Sequence, residues 1–451
     1  MKRRRMDTGI IRQLLWLTTC SLGIVGLWTS HLSAQLTDQT QTPNAAGRGI
    51  ALSLEQQVGA GQGDEYTPDS SIYFIQRDPA RAIRRGRQLF QRKFTMAQGF
   101  GPRKSDGGGD IAAEAIIGAG LVDSCAGCHG RPRGAAGHGG DVVTRPDSRD
   151  APHLFGLGLQ EMIADEITKD LRDIRAHAIA SARRNRTRVT RSLRSKEISY
   201  GRITARPDGS VDTSEVQGVD PDLRVRPFFA HGGTISIREF VVGAFKAEMG
   251  LEAFDLCLSQ AAQGGECVTP SGMALDGGQD KIEAPPISSV TEDGDGDGIK
   301  NEMDVALIDF MEFYLLNYFK AGLGQQTETT RRGFELIEEI GCTTCHIRDL
   351  VIEHDRRVAD VETRFDPRRG IFNRLFAEAT PLFVEEDDGQ SLPKLVPAGQ
   401  GFVVKNIFAD FKRHDLGPNF RELNYDGTYQ KTFMTASGFS PSQASPLERQ
   451  R

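Results

Sequence analysis

The stretch Ser124-Cys-Ala-Gly-Cys-His-Gly130 decides how this chain is read, because Gly341-Cys-Thr-Thr-Cys-His346 repeats its Cys-x-x-Cys-His core 217 residues later. The pattern has three physical readings: covalent haem attachment, half of a zinc site, or a thiol redox pair. Structural zinc takes four ligands, with halves commonly roughly 12–20 residues apart. Here the halves lie far apart and each is followed directly by a histidine. A thioredoxin-type pair needs a βαβ context, and neither flank reads as strand-rich. Haem attachment accounts for every feature. The thiols of Cys125, Cys128, Cys342 and Cys345 would bond the porphyrin vinyls, and His129 and His346 would reach the irons as proximal ligands.

Haem of this kind is attached outside the cytoplasm, and the N-terminus reads accordingly. Lys2, Arg3, Arg4, Arg5 and Arg12 precede an apolar run from Leu14 to Trp28, then Leu-Ser-Ala and a polar stretch. Residues 1–34 are therefore expected to be a signal peptide cleaved after Ala34, with a retained anchor as the alternative. Removing five basic residues and one acid takes the formal charge from −6 to −10. An acidic chain of this kind argues against a nucleic-acid partner. No later segment is apolar for the roughly 18 residues a span needs. Val305 to Phe319 comes nearest, carries Asp309 and Glu312, and reads as a buried helix. Six cysteines then remain, and Cys257 and Cys267 are expected to pair in a disulfide around a Gly-rich loop.

The two motifs are preceded by related helices. Arg84-Arg85-Gly86-Arg87-Gln88-Leu89-Phe90 matches Arg331-Arg332-Gly333-Phe334-Glu335-Leu336-Ile337. Asp78 opens the first and Thr327 to Thr330 the second. A Gly-rich insert, AQGFGPRKSDGGGD, separates the first helix from its motif, and inserts of that length in compact modules tend to be functional. Further helices are expected from about Leu157 and over Ile235 to Met249, with loops over 205–222 and 259–298. Six arginines and a lysine between Arg183 and Lys196 read either as a solvated face or as a dock for an acidic partner protein.

DGDGDGIKNEMD matches the calcium-loop pattern. Asp293, Asp295, Asp297, Ile299 (through its carbonyl), Asn301 and Asp304 take ligand positions 1, 3, 5, 7, 9 and 12, with Gly298 at the turn. No helix is expected before it, so it is a calcium loop feeding an exit helix.

Taken in order, several stretches resemble the bacterial di-haem c-type oxidoreductases, a thiol-oxidoreductase and peroxidase-like family related to the di-haem cytochrome c peroxidases. They are FTMAQGFGP (94–102), SCAGCHG, APHLFGLGLQE (151–161), TISIREFVVGAFKAEMG (234–250), the DGDGDGI loop, GCTTCH and FADFKRHDLGP (408–418). The resemblance implies a mainly α fold: two cytochrome c-like haem domains with long irregular loops and a calcium-loop insertion. The expected division is a flexible segment at 35–75, a larger haem domain at 76–322 and a second at 323–451. Family members continue beyond the segment resembling KTFMTA (431–436) into a further motif that this chain lacks, which leaves the second domain open to truncation.

The expected function is periplasmic electron transfer between two covalent haems, with peroxidase-like reduction of peroxide. A non-catalytic di-haem carrier, and an oxidase that matures a partner protein, are the alternatives. The partner is then a periplasmic electron-transfer protein or a small oxidant such as peroxide. The sixth iron ligands separate these readings. Candidates are His138, His153, His231, His354, His414, Met162, Met249 and Met434, with His414 and Met434 favoured by the family-like segments that hold them.

Overall fold

The computed structural model describes residues 52–94, 124–130, 135–137, 151–229, 232–320, 327–362, 365–366, 371–372, 379–415, 422–423, 429–430 and 433–435. Its helices are α1 (Leu54–Val58), α2 (Ser71–Arg77), α3 (Pro79–Gln91), α4 (Cys125–His129), α5 (Leu157–Asn185), α6 (Ile237–Met249), α7 (Leu256–Ala262), α8 (Val305–Asn317) and α9 (Glu328–Glu339). The first core forms around α8, which is buried on all sides from Ala306 to Asn317. Around it pack Ile83, Leu89 and Phe90 of α3, Val241, Val242 and Phe245 of α6, and Leu258 of α7.

Helix α3 starts where Asp78 accepts the amide of Arg81 and Pro79 fills the first turn, a site where a missing N–H costs nothing. Its Gly86 lies so close to α8 that an added Cβ would stand 2.1 Å from the Phe310 carbonyl oxygen. Gly86→Ala is therefore expected to cost about 1–3 kcal/mol by overpacking. Gly333 on α9 is the control, since an added Cβ meets nothing within 4 Å. Gly333→Ala should gain up to about 1 kcal/mol from helix propensity. Denaturant midpoints of the two variants check the contrast, and equal shifts would refute it.

The second core lies under α5. Leu159, Ile163, Ile167 and Leu171 recur every fourth residue on one face, continued by Ala178 and Ala182. They pack on Leu193 of β1 (Val189–Ser195) and on Tyr200 and Ile203 of β2 (Ile198–Ala205). These two strands and β3 (Val211–Asp212) form an antiparallel sheet in the order β1-β2-β3. The hairpin β4 (Glu266–Val268) and β5 (Ala274–Asp276) follows α7, with Cys257 and Cys267 joined in a disulfide across a Cα separation of 5.5 Å.

Beyond α8 the regular elements of the described residues are mainly short strands, and here the expectation of a mainly α fold is corrected: the architecture is mixed α/β. β6 (Tyr318–Lys320) pairs in parallel with β8 (Ala359–Glu362), and β7 (Leu350–Ile352) pairs with Phe402–Val404. Phe383–Glu386 and Lys394–Pro397 form a further hairpin. These strands are two to four residues long and interleave charges, as in ADVE and FVEE, so no apolar alternation announces them. Both cores draw on residues from either side of the boundary expected at 322. Val358, Ala359 and Val361 enter the first core, while Leu350, Ile352, Val404, Ala409 and Phe411 enter the second.

The expected flexible segment at 35–75 is corrected over its described part. Ser53 caps α1 in a reciprocal box with Gln56, and Ser70 caps α2 through the amide of Tyr73. Phe74 of α2 is buried against Phe310. The polar GAGQGDEYTPDS between the two helices conceals them. Among the described residues no helix is long and apolar enough to cross a membrane.

Candidate functional site

Each Cys-x-x-Cys-His motif forms a single helical turn. In α4 the Ser124 hydroxyl accepts the amide of Gly127 at 3.0 Å, starting the turn that carries Cys125, Cys128 and His129. In the second motif Gly341 adopts φ 84° and a 3-10 turn over Cys342–Thr344 follows. The His346 amide then donates to the Cys342 carbonyl at 2.9 Å. Positions i, i+3 and i+4 of such a turn share a face, so both thiols and the imidazole point the same way. None of the four motif thiols is in a disulfide.

Both histidines are oriented by the same device. His129 Nδ1 lies 2.7 Å from the carbonyl oxygen of Pro152, and His346 Nδ1 lies 3.0 Å from that of Phe408. A carbonyl only accepts, so each Nδ1 carries the proton and donates. In that tautomer Nε2 carries the ring lone pair, the arrangement metal-ligating histidines commonly show. Pro152 and Phe408 lie in the stretches APHLFGLGLQE and FADFKRHDLGP, whose backbone role was not visible in the sequence.

Two of the thiols depart from the pattern of a redox pair. Burial pushes the Cys125 thiol up to about 12 and raises Cys345 as well, whereas redox-active cysteines are lowered. The second motif's flank is not strand-free, because β7 follows within a few residues. That strand pairs antiparallel and supplies no βαβ unit.

The two leading helices differ in what covers them. Leu89 and Phe90 of α3 are 0% and 1% exposed, while their counterparts Leu336 and Ile337 on α9 are 42% and 38% exposed, and Ile340 is 72% exposed. Arg85 bonds the Gln57 carbonyl at 2.7 Å and stacks on Phe74 and Phe310. Its counterpart Arg332 stays on the surface with Glu335 and Glu339. An apolar face beside Cys342 is thus uncovered by the described protein, as a site for a flat apolar macrocycle requires.

His414 stands beside Cys345: one ring nitrogen, the Cys345 sulfur and an Asp410 oxygen all lie within 4.8 Å of one another. Its Nε2 is 2.8 Å from Asp410 Oδ2. The backbone of Met434 pairs opposite His414 in a two-stranded ladder. Of the other candidate ligands, Met162 and Met249 are core residues and His354 is a surface residue. His153 stacks on Phe155. His138, His231 and the insert before Cys125 lie outside the described residues. Arg183, Arg184, Arg186, Arg188, Arg191 and Arg194 are exposed along the end of α5 and β1, whereas Lys196 pairs with Glu166 at 2.6 Å.

Glu161, five residues into α5, was not singled out by the sequence. It accepts the Ile237 amide at 2.6 Å and Arg356 at 2.7 Å. Burial outweighs Arg356 and pushes its carboxyl from 4.5 up to about 8. The folded chain then binds an extra proton between those values. This contribution to stability is complete below about pH 4.5 and is lost as pH rises through about 8. Glu161→Gln is expected to flatten that slope; denaturation midpoints across the window check it, and superimposable slopes would exclude the assignment.

In the aspartate loop, Asp293, Asp295 and Asp297 bring ligand oxygens within 4.8 Å of one another. Asn301 Oδ1 instead accepts the Phe254 amide at 2.8 Å, and Asp304 caps α8 through the Ala306 amide at 2.9 Å. Ile299 is half-buried, and its amide donates to Asp297 at 2.7 Å.

No protein family, characterised protein or solved structure compared with the chain matches it.

Proposed function

We propose that this chain is an exported c-type cytochrome with two covalent haems, an oxidoreductase that passes electrons between them and reduces peroxide. The observation that carries the reading is the matched pair of motif histidines, each held by a backbone carbonyl at Nδ1, the tautomer that puts the ring lone pair on Nε2. The haems supply one-electron chemistry. The protein's part is to anchor them through Cys125, Cys128, Cys342 and Cys345, and to fix each imidazole. The exposed arginines of the first hairpin suit an acidic electron-transfer protein as partner.

Expression with residues 1–34 retained, in a host that attaches c-type haem, tests the reading. Pyridine haemochrome spectra and denaturing mass spectrometry should return two haems per chain. Electron paramagnetic resonance then separates enzyme from carrier: one high-spin haem that reacts with peroxide supports the enzyme, and two low-spin, peroxide-inert haems leave a carrier. The cluster of Cys345, Asp410 and His414 favours one rival, a mononuclear metal centre at the second motif. A haem-free chain holding stoichiometric zinc would establish it.

A further inference from the structure

Two short segments meet beside the aspartate loop. The Glu252 amide donates to Glu302 Oε2 at 2.6 Å, the Phe254 amide to Asn301 Oδ1 at 2.8 Å, and the Met303 amide to the Glu252 carbonyl at 3.0 Å. This stitching brings Glu252 and Glu302 onto Asp295, with one oxygen of each within 4.8 Å of the others. Asp295 also belongs to the trio with Asp293 and Asp297. Five carboxylates therefore share one corner of the molecule, and Lys246, which pairs with Glu252, is the ammonium in contact with them.

Glu302 is only 7% exposed, and its Oε1 has no hydrogen-bond partner. Asp295 Oδ2 is likewise buried and without one. Several of the other carboxylate oxygens are taken up locally. Gly294 donates to Glu252 Oε2 at 2.8 Å, Gly296 and Gly298 to the two oxygens of Asp293, and Ile299 to Asp297. Two carboxylates of one cluster that each bury an unpartnered oxygen incur the desolvation cost with nothing to offset it. A cation between them removes that cost. The donor set is all oxygen, which selects a hard ion, and the irregular arrangement suits calcium better than the octahedral demands of magnesium.

We propose that Asp295 and Glu302, with Glu252, Asp293 and Asp297 around them, bind one calcium ion. Asn301 and Asp304, which the linear loop pattern nominates, are not ligands: one holds the 252–254 segment and the other caps α8. The ion staples the segment after α6 to the start of α8, the helix around which the first core is built. The site does not depend on haem content.

Calorimetric titration of the chelator-washed full chain with calcium chloride tests the proposal. Wild type should bind one equivalent. Glu302→Gln and Asp295→Asn should each weaken binding at least about tenfold, since affinity follows the charge of the ligands. Asp304→Ser, which keeps a capping hydroxyl, should stay within about twofold of wild type. Thermal midpoints in chelator establish that each variant folds, and Asp295→Asn, on the half-buried loop, serves if Glu302→Gln does not. A wild type that takes up no calcium at millimolar concentration overturns the proposal. So does loss of binding in Asp304→Ser, or retained affinity in both Glu302→Gln and Asp295→Asn.

Discussion

Arg238→Leu is expected to cost about 3–5 kcal/mol, the scale for breaking a buried ion pair by removing one partner. The guanidinium is completely buried. It reaches Asp255 at 2.6 Å, Asp309 at 2.8 Å and Glu312 at 2.7 Å. Ser71 donates to Asp309 at 2.5 Å and Thr269 to Glu312 at 2.7 Å. One cation on α6 thus serves three carboxylates, Asp255 at the N-cap of α7 and Asp309 and Glu312 on α8. Burial already raises the carboxyls of Asp309 and Glu312, against the lowering effect of Arg238. Without the arginine they must protonate or stay charged in a dry core, and either costs stability. Domain stabilities run to about 5–15 kcal/mol, so the variant should be marginal at neutral pH and recover partly in mild acid. A denaturant midpoint within about 1 kcal/mol of wild type at neutral pH would show that the network carries little of the fold.

The helices around that network were legible because their patterns are long. Ile237, Val241, Phe245 and Met249 sit on one stripe of α6, and the spacing places it within two residues of its observed start. The apolar run broken only by Asp309, Glu312 and Asn317 reads as the buried helix α8. What the sequence does not carry is which carboxylates meet Arg238, since its partners lie 17, 71 and 74 residues away. The strands after α8 were missed for a different reason: they are short, and they exchange edges among themselves where neither face is continuously apolar.

The site divides the same way. Cys125, Cys128, His129 and their repeats are contiguous and could be read directly. The carbonyls that orient the imidazoles lie 23 and 62 residues away, and a backbone oxygen has no signature in the side-chain alphabet. Asp304 did carry a signal for its observed role, standing immediately before the apolar run of α8 where a helix cap belongs. The loop pattern competed for the same residue, and only the fold separates the two uses.

Replacing Cys342 and Cys345 by alanine is expected to halve covalent haem, from two per chain to one, and to leave the two cores folded. The reason lies in what surrounds the second motif. Leu336 and Ile337 on α9 and Ile340 just after it are exposed, and no residue of that helix is buried. If a haem covers this face, its removal uncovers these three side chains, worth about 1.5–3 kcal/mol each when fully buried. The double variant should therefore bind an apolar fluorescent dye and associate at high concentration, while its main unfolding transition moves little. The first motif should behave differently. Cys125 packs against the core around α8, so Cys125→Ala with Cys128→Ala should lose one haem and also lower the main transition. Haemochrome absorbance, dye fluorescence and the denaturation midpoint read the three effects separately. Equal destabilisation by the two double variants would break the link between helix exposure and haem. Unchanged haem content in both would remove the four cysteines from its attachment altogether.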